Sequence, residues 1–381
     1  MVVVFGAGRS RPAPSVSPMK TGIDVLFDER LDLVRGRRVG LITNPTGVDR
    51  SLRSIVERFR SHPEVQLVAL YGPEHGVRGN AQAGEFVDFY QDEHFGLPVF
   101  SLYGQALKLP DQPLADIDAT MREFDTQHTG KTVDHAMHRP NPITGAFREG
   151  PVLEYPRYSS FIGLYPVPLR HGLTAGELAR LFNARFLARP VDLTVVPVAG
   201  WRRGAWFDET GLPWVIPSPN MPTVDTATVY PGQVLLEGTN LSEARGTTKP
   251  FELFGAPWID GYVLSRDLNA LGLPGAAFRE AWFAPTFSKF AGERCGGCQL
   301  HVTDRQAFRP CTATLAILQA IRRRYGERLE LHADYFDKVM GTATVREAFE
   351  RDVPFDRIAA TWEAGLAEFA RTCAPYLLYR D

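Results

Sequence analysis

The sequence predicts an α/β protein in which a doubly wound sheet domain is followed by a smaller α/β domain. Its 381 residues exceed the roughly 250–300 at which a single hydrophobic core stops growing, so we expect two domains. In the first half, short apolar runs suited to buried strands alternate with a helical apolar stripe, which is typical of parallel sheets. We place a leader at residues 1–18, the sheet domain at 19–190 and the second domain at 191–381.

The first predicted unit is a strand, a helix and a second strand. Residues 39–43 and 65–71 are short apolar runs suited to buried strands. Asp49 and Ser51 are candidate caps for the helix between them. The apolar stripe of that helix has helical spacing, at Leu52, Ile55, Val56 and Phe59. Because this order makes a βαβ unit, we expect the two strands to be parallel.

Both strands lead into polar loops at the carboxyl edge of the sheet, where open α/β folds bind ligands. The first loop is Asn-Pro-Thr-Gly at residues 44–47, and the second is Gly-Pro-Glu-His-Gly-Val-Arg-Gly at residues 72–79. The second loop brings together the carboxylate of Glu74, the imidazole of His75 and the guanidinium of Arg78. We expect a functional site here, although Glu74 and Arg78 could instead form a local surface ion pair.

A helix is predicted to begin after Thr174. Thr174 and Glu177 have the spacing of a capping box, so we assign Glu177 to the helix rather than to catalysis. His171 precedes this helix, whose positive end favours the neutral imidazole. A neutral His171 could hydrogen-bond a polar ligand.

The second half is expected to be a different unit. Residues 191–198 form a predicted strand, followed by a long polar segment rich in aromatic and small residues. Such loops suit sugar recognition, because hydroxyls need paired donors and acceptors while a sugar face packs on an aromatic ring. The C-terminal third is predicted to be helical, with one apolar stripe at Leu315, Leu318 and Ile321.

The charge balance excludes several classes of partner. Lysine and arginine total 42 and aspartate and glutamate 44, which gives a net charge of −2. This even balance provides no electrostatic footprint for nucleic acid or for an anionic membrane surface. Since no stretch approaches the roughly 20 apolar residues of a membrane-spanning helix, we expect no membrane insertion either.

Cysteine and histidine spacing argues against a metal centre. Cys295 and Cys298 have the spacing of half a zinc site or of a redox pair, but no second pair follows at matching spacing. We interpret the four cysteines as structural. His128, His135 and His138 lack a regular helical register, and we expect them to face solvent. No metal or organic cofactor is predicted.

The N-terminal residues do not have the pattern of an export signal. Residues 1–5 are apolar but brief and have no basic segment before them, whereas a secretory signal needs an apolar run of roughly 7–15 residues. We therefore predict a cytoplasmic protein. The alternative is a periplasmic or secreted protein, if translation starts elsewhere than at Met1.

Several motifs occur in a characteristic order. They are Leu-Ile-Thr-Asn-Pro-Thr-Gly-Val (41–48), Gly-Pro-Glu-His-Gly-Val-Arg-Gly (72–79), Ser-Leu-Tyr-Gly (101–104), Arg-Pro-Asn-Pro (139–142), Glu-Gly-Pro (149–151), Arg-His-Gly (170–172), Pro-Ser-Pro-Asn-Met-Pro (217–222) and Glu-Gly-Thr-Asn-Leu-Ser-Glu-Ala-Arg-Gly-Thr-Thr (237–248). Together they resemble the bacterial DUF1343 family, whose characterised members are exo-β-N-acetylmuramidases of the NamZ type. The resemblance covers nearly the whole chain after the leader.

The resemblance implies a Rossmann-like first domain, with the active site in the cleft between the two domains. It also implies release of N-acetylmuramic acid from the non-reducing ends of peptidoglycan fragments. The lactyl carboxylate of that sugar would need a cation, which Arg78 or Arg245 could supply. Further candidate substrate-binding side chains are the polar residues of the same motifs: Asn44, Thr46, Arg139, Asn141, His171, Ser218, Asn220, Asn240 and Thr247.

Under this resemblance, Glu74 is the candidate general acid/base, positioned by His75 or paired with Arg78. Most glycosidases use two carboxyl groups that flank the glycosidic bond. The second group stays open between Glu237 and Glu243, and both are also candidates for substrate binding. Retention or inversion of the anomeric configuration stays open too, since it depends on the separation of the carboxyl groups.

One interval departs from the family pattern. Between residues 104 and 139 the chain is shorter than expected, and the usual Asp-x-Gln-Asp motif is not found there. We therefore predict that a central strand and its helix are missing around residues 105–138. His138 also stands in place of an Asp, and Ala244 in place of a Gly. The alternative function is accordingly that of a catalytically impaired relative that only binds cell-wall sugars.

Overall fold

The computed structural model describes residues 19–82, 84–85, 87–102, 119–122 and 135–380. The predicted leader at residues 1–18 and His128 therefore lie outside the described residues. Among the helices in these ranges, none combines the length and the apolar character that crossing a bilayer requires.

The strands of the first half form one large sheet and one small ribbon. They are β1 (Arg38–Ile42), β2 (Gln66–Gly72), β3 (Tyr90–Asp92), β4 (Leu97–Ser101), β5 (Ala119–Arg122), β6 (His135–Met137), β7 (Glu149–Val152), β8 (Pro168–Arg170) and β9 (Thr194–Val196). The large sheet has the order β3-β4-β2-β1-β5-β6-β9, while β7 and β8 pair separately as an antiparallel ribbon. Neighbours in the large sheet are parallel except for β3 and β4.

The first predicted unit is confirmed, with a shifted helix start. β1 and β2 pair in parallel, with Val39 opposite Leu67. The helix between them, α2 (Ile55–Ser61), follows α1 (Gly22–Glu29) along the chain and is capped by Ser54, whose Oγ accepts from the Val56 amide at 3.2 Å. Leu52 lies outside the helix with φ +64° and an exposed side chain, so it is not part of the buried stripe.

The prediction of a missing central strand is wrong. β5 lies within residues 105–138 and pairs in parallel with β1, with Leu41 opposite Met121. β6 lies in the same interval and continues the sheet beside β5. The helix of the family pattern would fall on residues 123–134, which lie outside the described residues. Apolar periodicity missed these strands because they have only four and three residues.

The predicted domain boundary near residue 190 separates a strand from its own sheet. β9, at Thr194–Val196, pairs in parallel with β6 and closes one side of the large sheet. The C-terminal end of the chain also returns to the first half, since the Val198 amide donates to the Tyr379 hydroxyl at 2.7 Å. Packing therefore joins the two halves more closely than the sequence indicates.

The second half contains a three-stranded antiparallel sheet covered by helices. Its strands β10 (Leu253–Ala256), β11 (Ala276–Phe283) and β12 (Cys295–Val302) have the order β10-β12-β11. The predicted stripe at Leu315, Leu318 and Ile321 is buried in its core. With α3 (Ala175–Arg185) in the first half, the remaining helices are α4 (Val224–Gln233), α5 (Gly261–Ala270), α6 (Pro310–Tyr325), α7 (Ala333–Met340), α8 (Thr344–Glu350), α9 (Phe355–Ala360) and α10 (Glu363–Cys373).

The Cys-Gly-Gly-Cys motif lies within β12. Cys295 and Cys298 are both fully buried thiols, and burial raises their pKa values to about 11 and about 12. Across the described ranges, no three His, Cys, Asp or Glu side chains are grouped so that they could hold a metal ion. The two thiols pack in the apolar core beside β10 and β11.

The expectation that His138 faces solvent is wrong. Its side chain is only 1% exposed, and Nε2 lies 2.7 Å from the Tyr379 hydroxyl. The Gly176 amide, in the first turn of α3, donates to Nδ1 at 3.4 Å. A Cβ at Gly22 would lie 2.7 Å from the His138 amide nitrogen, so α1 also packs directly against this residue. Burial lowers the pKa of His138 to about 3.

Candidate active site

A cavity of about 690 Å³ opens where the loop after β2 meets loops of the second half. Three carboxylates, one guanidinium and several aromatic side chains share this space. Its lining consists of Glu74, Gln82, Gly84, Phe161, Ile162, Asn220, Glu237, Glu243, Arg245, Phe287, Ser288, His332 and Tyr335. Of the sequence-predicted site residues, it brings together Glu74, Asn220, Glu237, Glu243 and Arg245.

Glu74 reaches the cavity from the loop that follows β2. A Cβ at Gly72 would lie 2.9 Å from the Val77 amide nitrogen, so glycine allows the loop to fold back tightly there. The Glu74 side chain is partly buried, and its Oε1 accepts a hydrogen bond from the Gly84 amide at 3.1 Å. This contact fixes the carboxyl group at the cavity wall.

Glu237 faces the same cavity from the 3₁₀ turn Val234–Gly238. Its Oε1 accepts from Arg245 Nη2 at 2.6 Å, and its Oε2 accepts from the Tyr335 hydroxyl at 2.9 Å. Burial, together with the nearby Glu237 charge, raises the pKa of Tyr335 above its ordinary value. Tyr335 is therefore a neutral phenol that donates a hydrogen bond to the Glu237 carboxylate.

Glu243 lies deeper, between two cations. Its Oε1 lies 3.4 Å from Arg245 Nε, and its Oε2 lies 3.2 Å from Lys289 Nζ. Lys289 also donates to the carbonyls of Leu236 at 2.7 Å and Leu241 at 2.9 Å. Burial lowers the pKa of Lys289, while Glu243 acts in the opposite direction. Lys289 thus ties the segment that carries both carboxylates to the loop between β11 and β12.

Tyr230 connects the two sides of the cavity electrostatically. Burial, followed by the charge of Glu237 and, more weakly, that of Glu74, raises its pKa to about 12, while Arg245 acts in the opposite direction. The ring of Tyr230 packs edge-on against Phe251 with centroids 4.8 Å apart. Glu74 and Glu237 line the same cavity, although they come from different halves of the chain.

The structure does not bring His75 or Arg78 into the cavity lining. Arg78 Nη2 pairs with the buried carboxylate of Asp92 at 2.6 Å, so its guanidinium is held at the end of β3. His75 Nδ1 donates to the Ala81 carbonyl at 2.9 Å, which stabilises the loop that follows Glu74. The local ion pair between Glu74 and Arg78, which was the alternative to a functional site, is not formed: Glu74 binds the Gly84 amide and Arg78 binds Asp92.

Residues of the first loop and of the Arg-Pro-Asn-Pro turn stabilise each other outside the lining. Asn44 Oδ1 accepts from the Thr46 amide at 2.9 Å and the Thr46 hydroxyl at 2.7 Å. Arg139 Nη1 donates to the Thr46 carbonyl at 2.6 Å. Asn141 Nδ2 donates to the Leu173 carbonyl at 2.9 Å. These contacts hold the first loop to the turn, and the turn to the segment before α3.

His171 and Ser218 also lie outside the lining. His171 Nδ1 accepts from the Leu173 amide at 3.0 Å, and burial, followed by the charge of Arg148, lowers its pKa to about 4. The imidazole is therefore neutral, and its Nδ1 is used for a hydrogen bond within the turn before α3. The Ser218 carbonyl accepts from the Met221 amide at 2.9 Å in the next turn.

Two further predicted residues serve the second half internally. Asn240 Nδ2 donates to the Arg328 carbonyl at 2.8 Å, and its Oδ1 accepts from the Glu330 amide at 3.1 Å. The Thr247 hydroxyl donates to the Ala244 carbonyl at 2.7 Å. By contrast, Asn220 reaches the cavity, where its Nδ2 lies 3.5 Å from Gln82 Oε1.

Sequence reasoning missed part of the lining. Tyr335 and His332 come from the start of α7, and Lys289 supports the site from the loop between β11 and β12. Neither the start of α7 nor the loop between β11 and β12 has a sequence pattern that distinguishes it from ordinary surface segments. The loop does have a structural signature, because Ser288 and Phe290 have φ +69° and +58°. Strained backbone of this kind is common beside functional sites.

Comparison with known proteins places both halves of the chain in one family. A model described as the N-terminal part of the exo-β-N-acetylmuramidase NamZ matches residues 39–133 and 126–225. A model described as the C-terminal part of the same enzyme matches residues 228–379. The matches span the interval in which the sequence predicted a missing segment, and they give no evidence of one.

Individual proteins agree with this result. The peptidoglycan β-N-acetylmuramidase NamZ of Bacillus subtilis is 47% identical over 382 aligned residues, which cover 95% of this chain and 91% of that protein. A DUF1343 family protein of Bacteroides fragilis has a TM-score of 0.86 at 34% identity, covering 96% of this chain and 100% of that one. A second protein of that family from the same organism shares the fold, with a TM-score of 0.75, 24% identity and the same coverage.

Proposed function

Because the chain belongs to the NamZ family of exo-β-N-acetylmuramidases, we propose that it releases N-acetylmuramic acid from the non-reducing ends of peptidoglycan fragments. The observation that carries the proposal is the cavity in which Glu74 meets Glu237 and Glu243. Glycosidases need carboxyl groups on both sides of the scissile bond, and this cavity supplies them from two different halves of the chain.

The proposal includes the location of the site in a cleft between the halves. The loop after β2 contributes Glu74, and the segment after α4 contributes Glu237. We also propose that the large sheet is Rossmann-like, which is supported by its run of parallel strands. In folds of that kind, ligands bind beyond the carboxyl ends of the strands, where Glu74 lies.

In this function, Glu74 protonates the glycosidic oxygen as the bond to the anomeric carbon breaks. The hydrogen bond from the Gly84 amide to Oε1 holds its carboxyl group at the wall of the cavity. Proton transfer from a positioned acid contributes roughly 10²–10⁴-fold to the rate. His75 acts indirectly, because its bond to Ala81 holds the loop in which Glu74 lies.

Arg245 is the better candidate for the lactyl carboxylate of muramic acid. It lies in the cavity lining, whereas Arg78 is paired with Asp92 outside it. Arg245 uses Nη2 for Glu237 and Nε for Glu243. A guanidinium has five N–H donors in a planar fork, so Nη1 can serve the substrate.

A chromogenic aryl β-N-acetylmuramide tests the function directly. We expect the purified protein to release the aryl alcohol, and to act much more slowly on the matching β-N-acetylglucosaminide, which lacks the lactyl group. Binding of N-acetylmuramic acid without turnover would favour the impaired, sugar-binding relative instead. Equal rates on the two substrates would contradict recognition of the lactyl carboxylate.

A further inference from the structure

We propose that Glu237 is the second catalytic carboxyl group and faces the anomeric carbon from the side opposite Glu74. The inference rests on the proposed function and identifies a catalytic residue that the sequence left open. Three observations carry it: the accessibility of Glu237, the way its carboxylate is held, and its position relative to Glu74.

Accessibility separates Glu237 from Glu243. The side chain of Glu237 is 17% exposed and lines the cavity, whereas that of Glu243 is only 3% exposed. The Glu243 oxygens lie against Arg245 and Lys289. A group that touches the reacting carbon must be reachable by substrate. Glu237 meets this condition, and Glu243 is better placed to hold its neighbours.

The Glu237 carboxylate is held by one donor on each oxygen. Arg245 binds Oε1 at 2.6 Å and Tyr335 binds Oε2 at 2.9 Å, so the carboxylate plane is fixed. Each carboxylate oxygen has two lone pairs, which leaves acceptor capacity directed into the cavity. Although burial opposes it, the charge of Glu237 raises the pKa of Arg245, so the guanidinium stays charged beside the carboxylate.

Glu243 and Lys289 stabilise the pair of Arg245 and Glu237 from the more buried side of the cavity. Lys289, Glu243, Arg245 and Glu237 form a row in which positive and negative charges alternate. Removing one member of a buried charged row leaves its neighbour uncompensated, so the row resists displacement. We therefore assign Glu243 and Lys289 as positioning residues that act through Arg245.

The position of Glu237 relative to Glu74 completes the argument. The two carboxyl groups enter the same cavity from different halves of the chain. A sugar between them would meet Glu74 on the side of its leaving oxygen and Glu237 on the other face. Carboxylates in that position stabilise the positive charge that develops at the anomeric carbon.

Azide rescue of Glu237→Ala tests the geometry. On an aryl β-N-acetylmuramide, the variant should lose about 10³-fold or more in turnover, as expected for loss of charge stabilisation. Azide should restore aryl release by entering the vacated space. A bond forms between azide nitrogen and the anomeric carbon while the bond to the aryl oxygen breaks, and its electron pair leaves with the aryl oxide. The product should be N-acetylmuramyl azide of α configuration.

Each outcome decides the proposal. Turnover of Glu237→Ala within about tenfold of the parent, no azide product, or a β-azide would overturn it. Glu280→Gln is the matched control, because Glu280 is a carboxylate on β11 that binds Trp282 Nε1 at 2.9 Å outside the cavity. It should keep parental turnover. If the parent protein itself does not cleave the substrate, the proposed function fails rather than this assignment.

Tyr335→Phe supplies a second test that does not depend on the fold of Glu237→Ala. As a positioning residue, Tyr335 should affect kcat by about tenfold while leaving KM nearly unchanged, because it orients a group that acts in the transition state. Tyr325→Phe is the control, since the Tyr325 hydroxyl binds the Asp260 amide at 2.9 Å outside the cavity lining. An unchanged kcat in Tyr335→Phe would contradict a catalytic role for the Glu237 carboxylate that Tyr335 holds.

Discussion

The carboxylate of Glu177 forms an ion pair with the guanidinium of Arg203 in the interior of the first half. The predicted capping box is present as well, since the Thr174 amide donates to Glu177 Oε2 at 2.9 Å. Glu177 Oε1 also accepts from the Leu378 amide at 2.8 Å, close to the C-terminal end of the chain. One side chain thus caps a helix and joins three separate segments.

Glu177→Gln should therefore cost more stability than loss of a helix cap alone, for which the sequence predicts about 1 kcal/mol or less. Removing one charge of a buried pair leaves the other uncompensated, so we expect a loss of about 3 kcal/mol. Urea unfolding of the parent protein and of Glu177→Gln measures this loss in the free energy of unfolding. Glu57→Gln is the control, since Glu57 pairs with Arg53 at the surface and should change stability by less than about 0.5 kcal/mol. A loss no larger than the control would contradict the buried pair.

Glu74→Gln should lower turnover by about 10²–10⁴-fold with little change in stability. The amide oxygen can still accept from the Gly84 amide, so the loop should hold its shape. Steady-state kinetics on an unactivated muramyl saccharide, whose sugar leaving group must be protonated, and a thermal unfolding midpoint measure the two effects. Glu64→Gln removes a surface carboxylate paired with Arg35 and should leave both unchanged. Full activity in Glu74→Gln would show that another group donates the proton.

His138 should make the protein less stable in mild acid. Its folded pKa of about 3 lies below the ordinary 6.5, so below pH 6.5 the unfolded chain binds a proton that the folded chain does not. The contribution is fully present above 6.5 and falls by about 1.4 kcal/mol per pH unit as pH drops toward 3.

The pH slope of the free energy of unfolding measures this effect, from about pH 7 down to about pH 5. In His138→Gln the slope should decrease by about 1.4 kcal/mol per pH unit, which corresponds to one proton fewer bound on unfolding. This change in slope does not depend on the absolute stability of the variant. His171, whose pKa is lowered to about 4, keeps its own contribution in both proteins. An identical slope in the two proteins would mean that the His138 imidazole is not held neutral.

Gly246→Ala should disturb the cavity as well as the fold. Gly246 has φ +80°, and a Cβ there would lie 2.7 Å from the Phe287 amide nitrogen and 2.8 Å from that of Thr286. The loop that carries Phe287 into the lining must therefore move, at an expected cost of about 2–3 kcal/mol and with a raised KM. Gly211→Ala is the control, with φ +71° and open space around it, and should cost about 1 kcal/mol without affecting KM.

Local sequence patterns determined much of the first half. The parallel pairing of β1 and β2, the loop that carries Glu74 and the capping box of Thr174 and Glu177 all follow from residues close together in the chain. Periodicity and capping are local properties, so a single sequence is enough to specify them. The ordered motifs likewise indicate the family from the sequence alone.

Tertiary packing decided which side chains share the cavity. Glu237 meets Tyr335 across 98 residues, while Arg78, close to Glu74 in sequence, is drawn away by Asp92 across 14 residues. Tertiary packing also buries His138, because glycines allow α1 and α3 to approach that residue closely. Contacts between residues this far apart in sequence depend on how whole helices and strands pack, and a local sequence pattern does not specify them. The sequence could therefore name the two candidate carboxylates, but only packing made Glu237 accessible and enclosed Glu243 between two cations.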